Sequence, residues 1–289
     1  MSNYYQRFVQ VINYIDDNLE QELSVEKLSQ FAYLSKYHFH RQFSALFDMT
    51  LARYIRLCRD KQAGFKLAYR PEYKVIDIAF SCGFESPEAF SRAFKKSIGQ
   101  SPSAFRKNPD WKAWHQYHQP LTELRINKMK KLEKNYQTKI VDFDETNVAV
   151  LMHKGAQELI GQSIQQFITW RRTNKLPPTI SRTFNLLYDD PSTISPDEYR
   201  FGLCASTNQT VDSNDFGITN SVIPSGKCAV IRHVGSDDEI GVIANYLYGQ
   251  WLEQSGETLR DFPLFLERVS FFPEVSEHKM ITDVYLPLN

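Results

Sequence analysis

The chain has 289 residues with 34 basic and 34 acidic side chains and a net charge of zero. That length suits two domains, and no apolar run approaches the roughly 18 residues that a membrane-spanning helix needs. Zero net charge argues against a polyanion binder, but the total hides a polarity. Residues 1–139 hold 23 Lys and Arg against 14 Asp and Glu, whereas residues 140–289 hold 11 against 20. A basic part tied to an acidic part is the expectation, with the polyanion partner on the basic side. The four cysteines, at 58, 82, 204 and 228, form no CxxC pair and have no His nearby in a ligand pattern. They read as reduced, buried thiols without zinc or any other cofactor. With no cleavable leader pattern, a cytoplasmic protein is expected.

In chain order, Tyr5–Leu19 carries Phe8, Val11, Ile12, Ile15 and Leu19 at amphipathic helical spacing. Val25–Phe31 reads as a short helix, followed by a tight break at Ala32, Tyr33 and Leu34. Residues 35–54 then reappear, ungapped, at 86–105: Ser35, Phe39, Arg41, Phe43, Thr50 and Tyr54 meet Ser86, Phe90, Arg92, Phe94, Ser101 and Phe105. Each copy starts with a Ser placed to accept a backbone N–H, and in the second copy Pro87 follows at a position where its missing N–H is harmless. Phe39, Phe43 and Phe47, like Phe90, Phe94 and Ile98, form an apolar stripe that requires a core. Lys36, Tyr37, His40, Arg41 and Ser44 lie on the free face of the first helix; Glu88, Ser91, Arg92 and Lys95 lie on that of the second. A donor-rich free face is what reading a DNA groove requires. The bland alternative is a solvated face on which Glu88 pairs with Arg92 four residues on.

Ile76–Ser81 precedes the second copy, with Cys82, Gly83 and Phe84 between, so helix, turn, helix occurs twice. Leu51–Ala68 bridges the two units as a longer helix stopped by Pro71, giving roughly seven helices in about 107 residues. The run Ile76, Asp77, Ile78, Ala79, Phe80, Ser81, Cys82, Gly83, Phe84, Glu85, Ser86, continuing through Phe90, Arg92, Ala93, Phe94, Lys95 and Lys96 to Pro102 and Phe105, resembles the signature of AraC/XylS-type transcription regulators. The resemblance implies that both units enter adjacent major-groove segments of double-stranded DNA, and that RNA polymerase is a partner. Positions matching the family's base-facing residues are Tyr37, His40 and Arg41, then Pro87, Glu88, Ala89 and Arg92. Tyr33 stands where the first turn of that family has Gly, so a distorted first turn is expected. Two units in one chain imply binding as a monomer.

Residues 110–136 are basic, with Lys128, Lys130, Lys131 and Lys134, and read as a linker able to touch phosphates. Beyond it, Val148–Gly161 aligns on Cys228–Gly241 with six identities in fourteen positions, at an offset of 80. Both copies spell an apolar strand, a His-x-Gly break and a helix, each followed by strand-like runs: Thr183–Tyr188 and Arg200–Ala205, then Leu264–Phe271 and Ile281–Leu286. A duplicated strand-helix-strand-strand α+β domain is therefore expected. His153 and His233, being equivalent, read as a structural feature of the repeat. Carried onward, the offset sets Glu267 opposite Leu187, with Glu267 sharing a strand face with Phe265, Val269 and Phe271. A carboxylate on an apolar face either finds donors inside the protein or awaits a cation.

Arg232, His233, Gly235, then Leu247, Trp251, Leu252, Ser255, Gly256, then Phe265, Glu267, and the run Asp283–Leu288 resemble the GyrI-like effector-binding domain over about residues 137–289. That resemblance implies that Glu267 lies in an aromatic pocket for organic cations, lined by Trp251, Tyr199, Tyr246 and Trp170 through cation-π contact. The sequence thus describes a multidomain protein. An all-α double helix-turn-helix domain spans 1–109, a basic linker 110–136 and a GyrI-like α+β domain 137–289. Its expected role is a sequence-specific regulator, an activator, that senses a small cationic or amphipathic molecule. Two rivals are a ligand-free docking module for a basic protein, and a hydrolase of small reactive compounds with Glu267 as general base.

Overall fold

The computed structural model describes residues 3–131 and 136–289, the side chains of 3, 4 and 128–131 excepted. The chain divides into two compact units, residues 1–133 with 272–278, and residues 134–271 with 279–289.

The first unit is helical: α1 (Asn3–Asp17), α2 (Val25–Phe31), α3 (Lys36–Phe47), α4 (Leu51–Tyr69), α5 (Val75–Ser81), α6 (Pro87–Ile98), α7 (Pro102–Lys107) and α8 (Trp111–Lys131). Local chemistry sets the helix starts. The hydroxyls of Ser35, Thr50, Ser86 and Ser101 accept the backbone N–H three residues on, satisfying donors that a helix start leaves orphaned. Phe39, Phe43 and Phe47 then turn inward on Phe8, Val11 and Ile12 of α1, while Phe90, Phe94 and Ile98 are buried on α6.

The described residues of the expected linker 110–136 do not form one. Most of them are α8, whose Trp111, Trp114, Leu121 and Leu124 are buried within the first unit. Four large apolar side chains make the segment a structural member of that unit, a role that its lysine content masks. The lysines proposed for phosphate contact, Lys128, Lys130, Lys131 and Lys134, have side chains outside the described residues. Counted with the first unit, Glu277 is buried and ion-paired with Lys61 at 2.7 Å and with Arg125.

The second unit is one eight-stranded antiparallel sheet in the order β1-β6-β8-β7-β3-β4-β2-β5. Its strands are β1 (Lys139–Phe143), β2 (Thr146–Lys154), β3 (Thr183–Leu187), β4 (Arg200–Ser206), β5 (Thr219–Ile223), β6 (Gly226–Val234), β7 (Leu264–Arg268) and β8 (Ile281–Pro287). Helix α9 (Ile160–Thr173) follows β2, and α10 (Ile240–Tyr246) follows β6. The duplication is present, with one strand more per copy than expected. β1 and β5 are that extra strand, and they are exchanged: β1 pairs with β6 of the second copy and β5 with β2 of the first. The copies meet where β3 pairs antiparallel with β7.

The two faces of the sheet differ. Ala149, Leu151, Leu203 and Ala205 face Phe167 and Trp170 of α9. On the other face Phe143, Val148, Val150, Phe184, Leu186, Cys204, Ile223, Cys228 and Phe265 form a separate core. Phe143, on a strand at one end of the sheet, stands 5.0 Å from Phe265 and 6.1 Å from Phe184 near its middle, ring centre to ring centre. The sheet must therefore curl around this second core.

Candidate DNA-reading helices and ligand site

In the first turn, Tyr33 donates its backbone N–H to Gln30 and Leu34 donates to Ser29; in the second, Gly83 donates to Phe80 and Phe84 to Ala79. The turns are thus equivalent, and the expected distortion at Tyr33 is absent. Tyr33 adopts the left-handed conformation itself, with φ of 56° against 77° at Gly83, a strain of about 1–2 kcal/mol for a residue with a Cβ. At Gly83 a Cβ would in addition lie 2.7 Å from the Arg59 guanidinium, which would have to shift. The second turn holds one more residue, Glu85, before its capping Ser86.

On α3 the side chains of Lys36, Tyr37, His40 and Arg41 are exposed, Tyr37 at 85%, and Ser44 is half-buried. On α6 Glu88, Arg92 and Lys95 are exposed, and Pro87, Ala89 and Ser91 are half-buried. Among the described residues neither Arg41 nor Arg92 has an ion-pair partner, so the Glu88–Arg92 pair of the bland reading is not formed. Lys36 is less free. It is paired with Glu26 of α2, and this contact holds the Glu26 carboxyl below the usual carboxylate range. Two exposed arginines, at matching places on two capped helices, are arranged for an anionic partner.

In the second unit the strand registers fix which residues are equivalent. Val150 pairs with Cys204 and Cys204 with Phe184; Val230 pairs with Tyr285 and Tyr285 with Phe265. Phe184 therefore corresponds to Phe265, and Glu267 corresponds to Leu186 rather than to Leu187. The offset has grown by one residue between the strands, and a one-residue slip changes the face. The contrast survives the correction, because Leu186 is buried and apolar. Strand β7 ends at Arg268, so Val269 and Phe271 do not continue the face that Glu267 shares with Phe265.

Around Glu267 the structure gathers residues that the sequence pattern had not assembled. Both carboxylate oxygens accept hydrogen bonds at 2.7 Å from the Arg182 guanidinium, one from Nε and one from Nη2. Tyr285 donates its hydroxyl to Oε2 at 3.4 Å. The guanidinium carbon lies 4.8 Å from the ring centre of Phe184 and 5.6 Å from that of Phe143. Phe265 and Tyr285 stack at 4.8 Å. Burial first, then the charges of Glu267 and Asp283, push the Tyr285 hydroxyl up to about 12, so it stays a donor at neutral pH.

None of the four aromatic residues expected beside Glu267 is among the contacts just described. Trp170 is buried in the core under α9, on the other face of the sheet. Tyr199 is buried near His153, with ring centres 6.4 Å apart. Tyr246, on α10, meets Tyr136. Trp251 is half-buried in a π-helical turn, Leu247–Trp251, that continues α10. Each follows an apolar helical or loop pattern that a core satisfies equally well. His153 has the structural part expected of it: its Nε2 faces the Gly155 and Ala156 carbonyls at 3.2 Å, so that nitrogen carries the proton and Nδ1 accepts from Ser163 at 2.9 Å. In the second copy His233 Nε2 faces the Ser236 carbonyl in the same way, at 3.1 Å.

Paired helix-turn-helix units with free basic faces, carried in one chain with a duplicated sheet, define a DNA-binding transcriptional regulator with a second, small-molecule binding domain. The family follows from the sequence matches. Residues 136–289 match the model of the GyrI-like small molecule binding domain, and the chain belongs to that family. Residues 28–108 match a helix-turn-helix domain of AraC type. Similar proteins include the probable transcriptional regulator YgiV of Escherichia coli K12, 37% identical over 150 residues, which are 52% of this chain and 94% of that protein. The uncharacterized HTH-type transcriptional regulator YbfP of Bacillus subtilis is 42% identical over 104 residues, covering 36% of this chain and 35% of that protein. Among solved structures, EcmrR in its DNA complex is 15% identical, with a TM-score of 0.45 over 93% of this chain and 85% of its own. No described helix is long and apolar enough to cross a membrane.

Proposed function

We propose that this protein is a sequence-specific transcription activator whose second domain takes up a small organic cation at Glu267. Helices α3 and α6 would enter adjacent major-groove segments of one DNA site, so that a single chain suffices. Phosphate contacts from Lys36 and Lys95 would supply affinity, and base-edge contacts from Arg41 and His40 the sequence preference. Arg92 would read from α6, since Pro87 and Ala89 offer no side-chain donors. Contact with RNA polymerase belongs to the same reading.

One observation supports the cation reading above the others: Glu267 replaces an apolar residue, Leu186, at the symmetry-related place on an aromatic face. A partly buried carboxylate ringed by Phe143, Phe184, Phe265 and Tyr285 offers a cation both a counter-charge and ring faces. A neutral ligand would gain at most a hydrogen bond from that carboxylate, and an anion would be repelled. The protein would therefore act by binding and not by turnover. Footprinting of the bound DNA, with and without a lipophilic cation such as tetraphenylphosphonium, tests both halves. A cation that leaves the footprint and the transcript level unchanged, while failing to bind the protein, would refute the sensing role.

A further inference from the structure

The cation position beside Glu267 is already taken. Arg182 makes a two-pronged ion pair with Glu267 at 2.7 Å and lays its guanidinium against the rings of Phe184 and Phe143. These are the contacts that an incoming organic cation would make, a counter-charge and two aromatic faces. We infer that Arg182 is an internal surrogate for the ligand, which a cation must displace in order to bind. The inference rests on the reading of Glu267 as a ligand site and adds what occupies that site beforehand.

Three features of the molecule carry it. First, the pair breaks the internal symmetry at both ends. Arg182 precedes Phe184 by two residues as Pro263 precedes Phe265, and Glu267 answers to Leu186. One place between the copies thus holds Arg and Glu while its twin holds Pro and Leu, so the fold does not require an ion pair there. Second, Arg182 can leave. Its backbone is fixed to β4, with its N–H on the Ser206 hydroxyl at 2.8 Å and its carbonyl accepting from the Ser206 N–H at 2.9 Å. The side chain beyond is 47% exposed, against 17% for Glu267. A rotamer change would carry the guanidinium into water, where it is well solvated, and leave the less exposed carboxylate behind. Third, the residual site would match a cation with apolar flanks, because Phe143, Phe184, Phe265 and Tyr285 stay in place on the sheet.

A built-in competitor sets a threshold. When only a fraction of molecules hold Arg182 outward, the apparent Kd for a cation rises by the inverse of that fraction. Small, strongly hydrated cations that gain little from the rings would then be rejected, and only those that outdo a guanidinium would register.

The test is a calorimetric titration of tetraphenylphosphonium into the full-length protein as wild type, Arg182→Gln, Glu267→Gln and the double variant, with thermal melts confirming that each is folded. Arg182→Gln should tighten binding about tenfold or more. Glu267→Gln and the double variant should bind weakly and alike, since without the carboxylate the arginine no longer has a place to defend. Methylguanidinium should compete with the probe in Arg182→Gln far more than in wild type, because it refills the vacated position. Unchanged or weaker binding by a folded Arg182→Gln, with Glu267→Gln still losing affinity, overturns the surrogate and leaves the ligand site standing. Failure of all four forms to bind, or equal binding by all four, overturns both.

Discussion

Glu267 and Asp283 face each other across the β7–β8 ladder, two carboxylates in one cross-strand pair. Like charges in that relation repel, and each here is held by a different arginine. Arg182 comes to Glu267 from just before β3, and Arg232, in register with Asp283 on β6, binds it through Nε at 2.8 Å and Nη2 at 2.7 Å. The row Arg232, Asp283, Glu267, Phe184 thus crosses four strands on one face.

Glu267→Gln should for that reason change stability little. The substitution gives up an ion pair with a half-exposed arginine, worth about 0–1 kcal/mol, and relieves the repulsion from Asp283. Urea unfolding should give a difference within about 1 kcal/mol. A loss of several kcal/mol would mean that Glu267 is a structural anchor of the sheet and would count against its role as a ligand group.

Gly64→Ala should destabilise the protein, against the ordinary sign of that change. In a helix interior Ala is better than Gly by roughly 0.5–1 kcal/mol. Gly64 sits within α4, however, where a Cβ would collide with the Trp114 indole. That ring is buried against Phe65, Phe105, Trp111 and His118 and has nowhere to go. Overpacking of this kind costs about 1–3 kcal/mol, so a net loss of about 1–2 kcal/mol is expected from denaturant unfolding. An unchanged or raised midpoint would show that the indole moves freely.

His118 gives the fold an acid-sensitive point. Burial is the main cause that lowers its imidazole from the ordinary value of 6.5 to about 3, partly opposed by its hydrogen bond to the Trp114 carbonyl. The unfolded chain takes up a proton as pH falls through about 6.5, whereas the folded protein does not until near 3. Stability from this group is therefore complete above 6.5 and declines as pH drops between those values. Between pH 7 and pH 5 the loss is about 2 kcal/mol, at 1.36 kcal/mol per pH unit. His118→Gln should flatten that part of the stability profile, and an identical slope in the variant would show that other groups set it.

How far the sequence leads depends on how local the signal is. The reading helices were legible because capping serines and the Phe39, Phe43, Phe47 stripe act within one helix. Burial of α8 was not, because Trp111, Trp114, Leu121 and Leu124 are scattered among lysines and a proline. The extra strands β1 and β5 pair only with the opposite copy, and the exposed outer residues of β1 show no clean alternation. Glu267 stood out as a carboxylate amid apolar residues, yet its partner Arg182 is 85 residues away in the chain. No periodicity reports such a contact. The rings that Arg182 touches, Phe143 and Phe184, were missed for the same reason, since they meet it only through the fold. Trp170 was named for the pocket through the family resemblance, and only the sheet's two faces separate it from Phe184.

Arg41→Ala and Arg92→Ala should differ in kind when DNA binding is measured. Both arginines are exposed and unpaired on equivalent helices, so neither substitution should affect the fold. Arg41 is flanked on its face by His40, Tyr37 and Ser44, a set of donors able to complete a base-edge contact, whereas Arg92 shares its face with Glu88 and Ala89. Loss of a bidentate contact to a guanine edge costs about 1–3 kcal/mol and does so on the preferred sequence only. Loss of a phosphate contact weakens binding on every sequence alike and lowers the salt slope by about one. Titrations against the preferred site and a scrambled one, at several salt concentrations, should therefore show Arg41→Ala narrowing the gap between the two sites. Arg92→Ala should lower both affinities with less change in that gap. Uniform weakening by Arg41→Ala would reduce α3 to a backbone contact, and a gap narrowed only by Arg92→Ala would transfer sequence reading to α6.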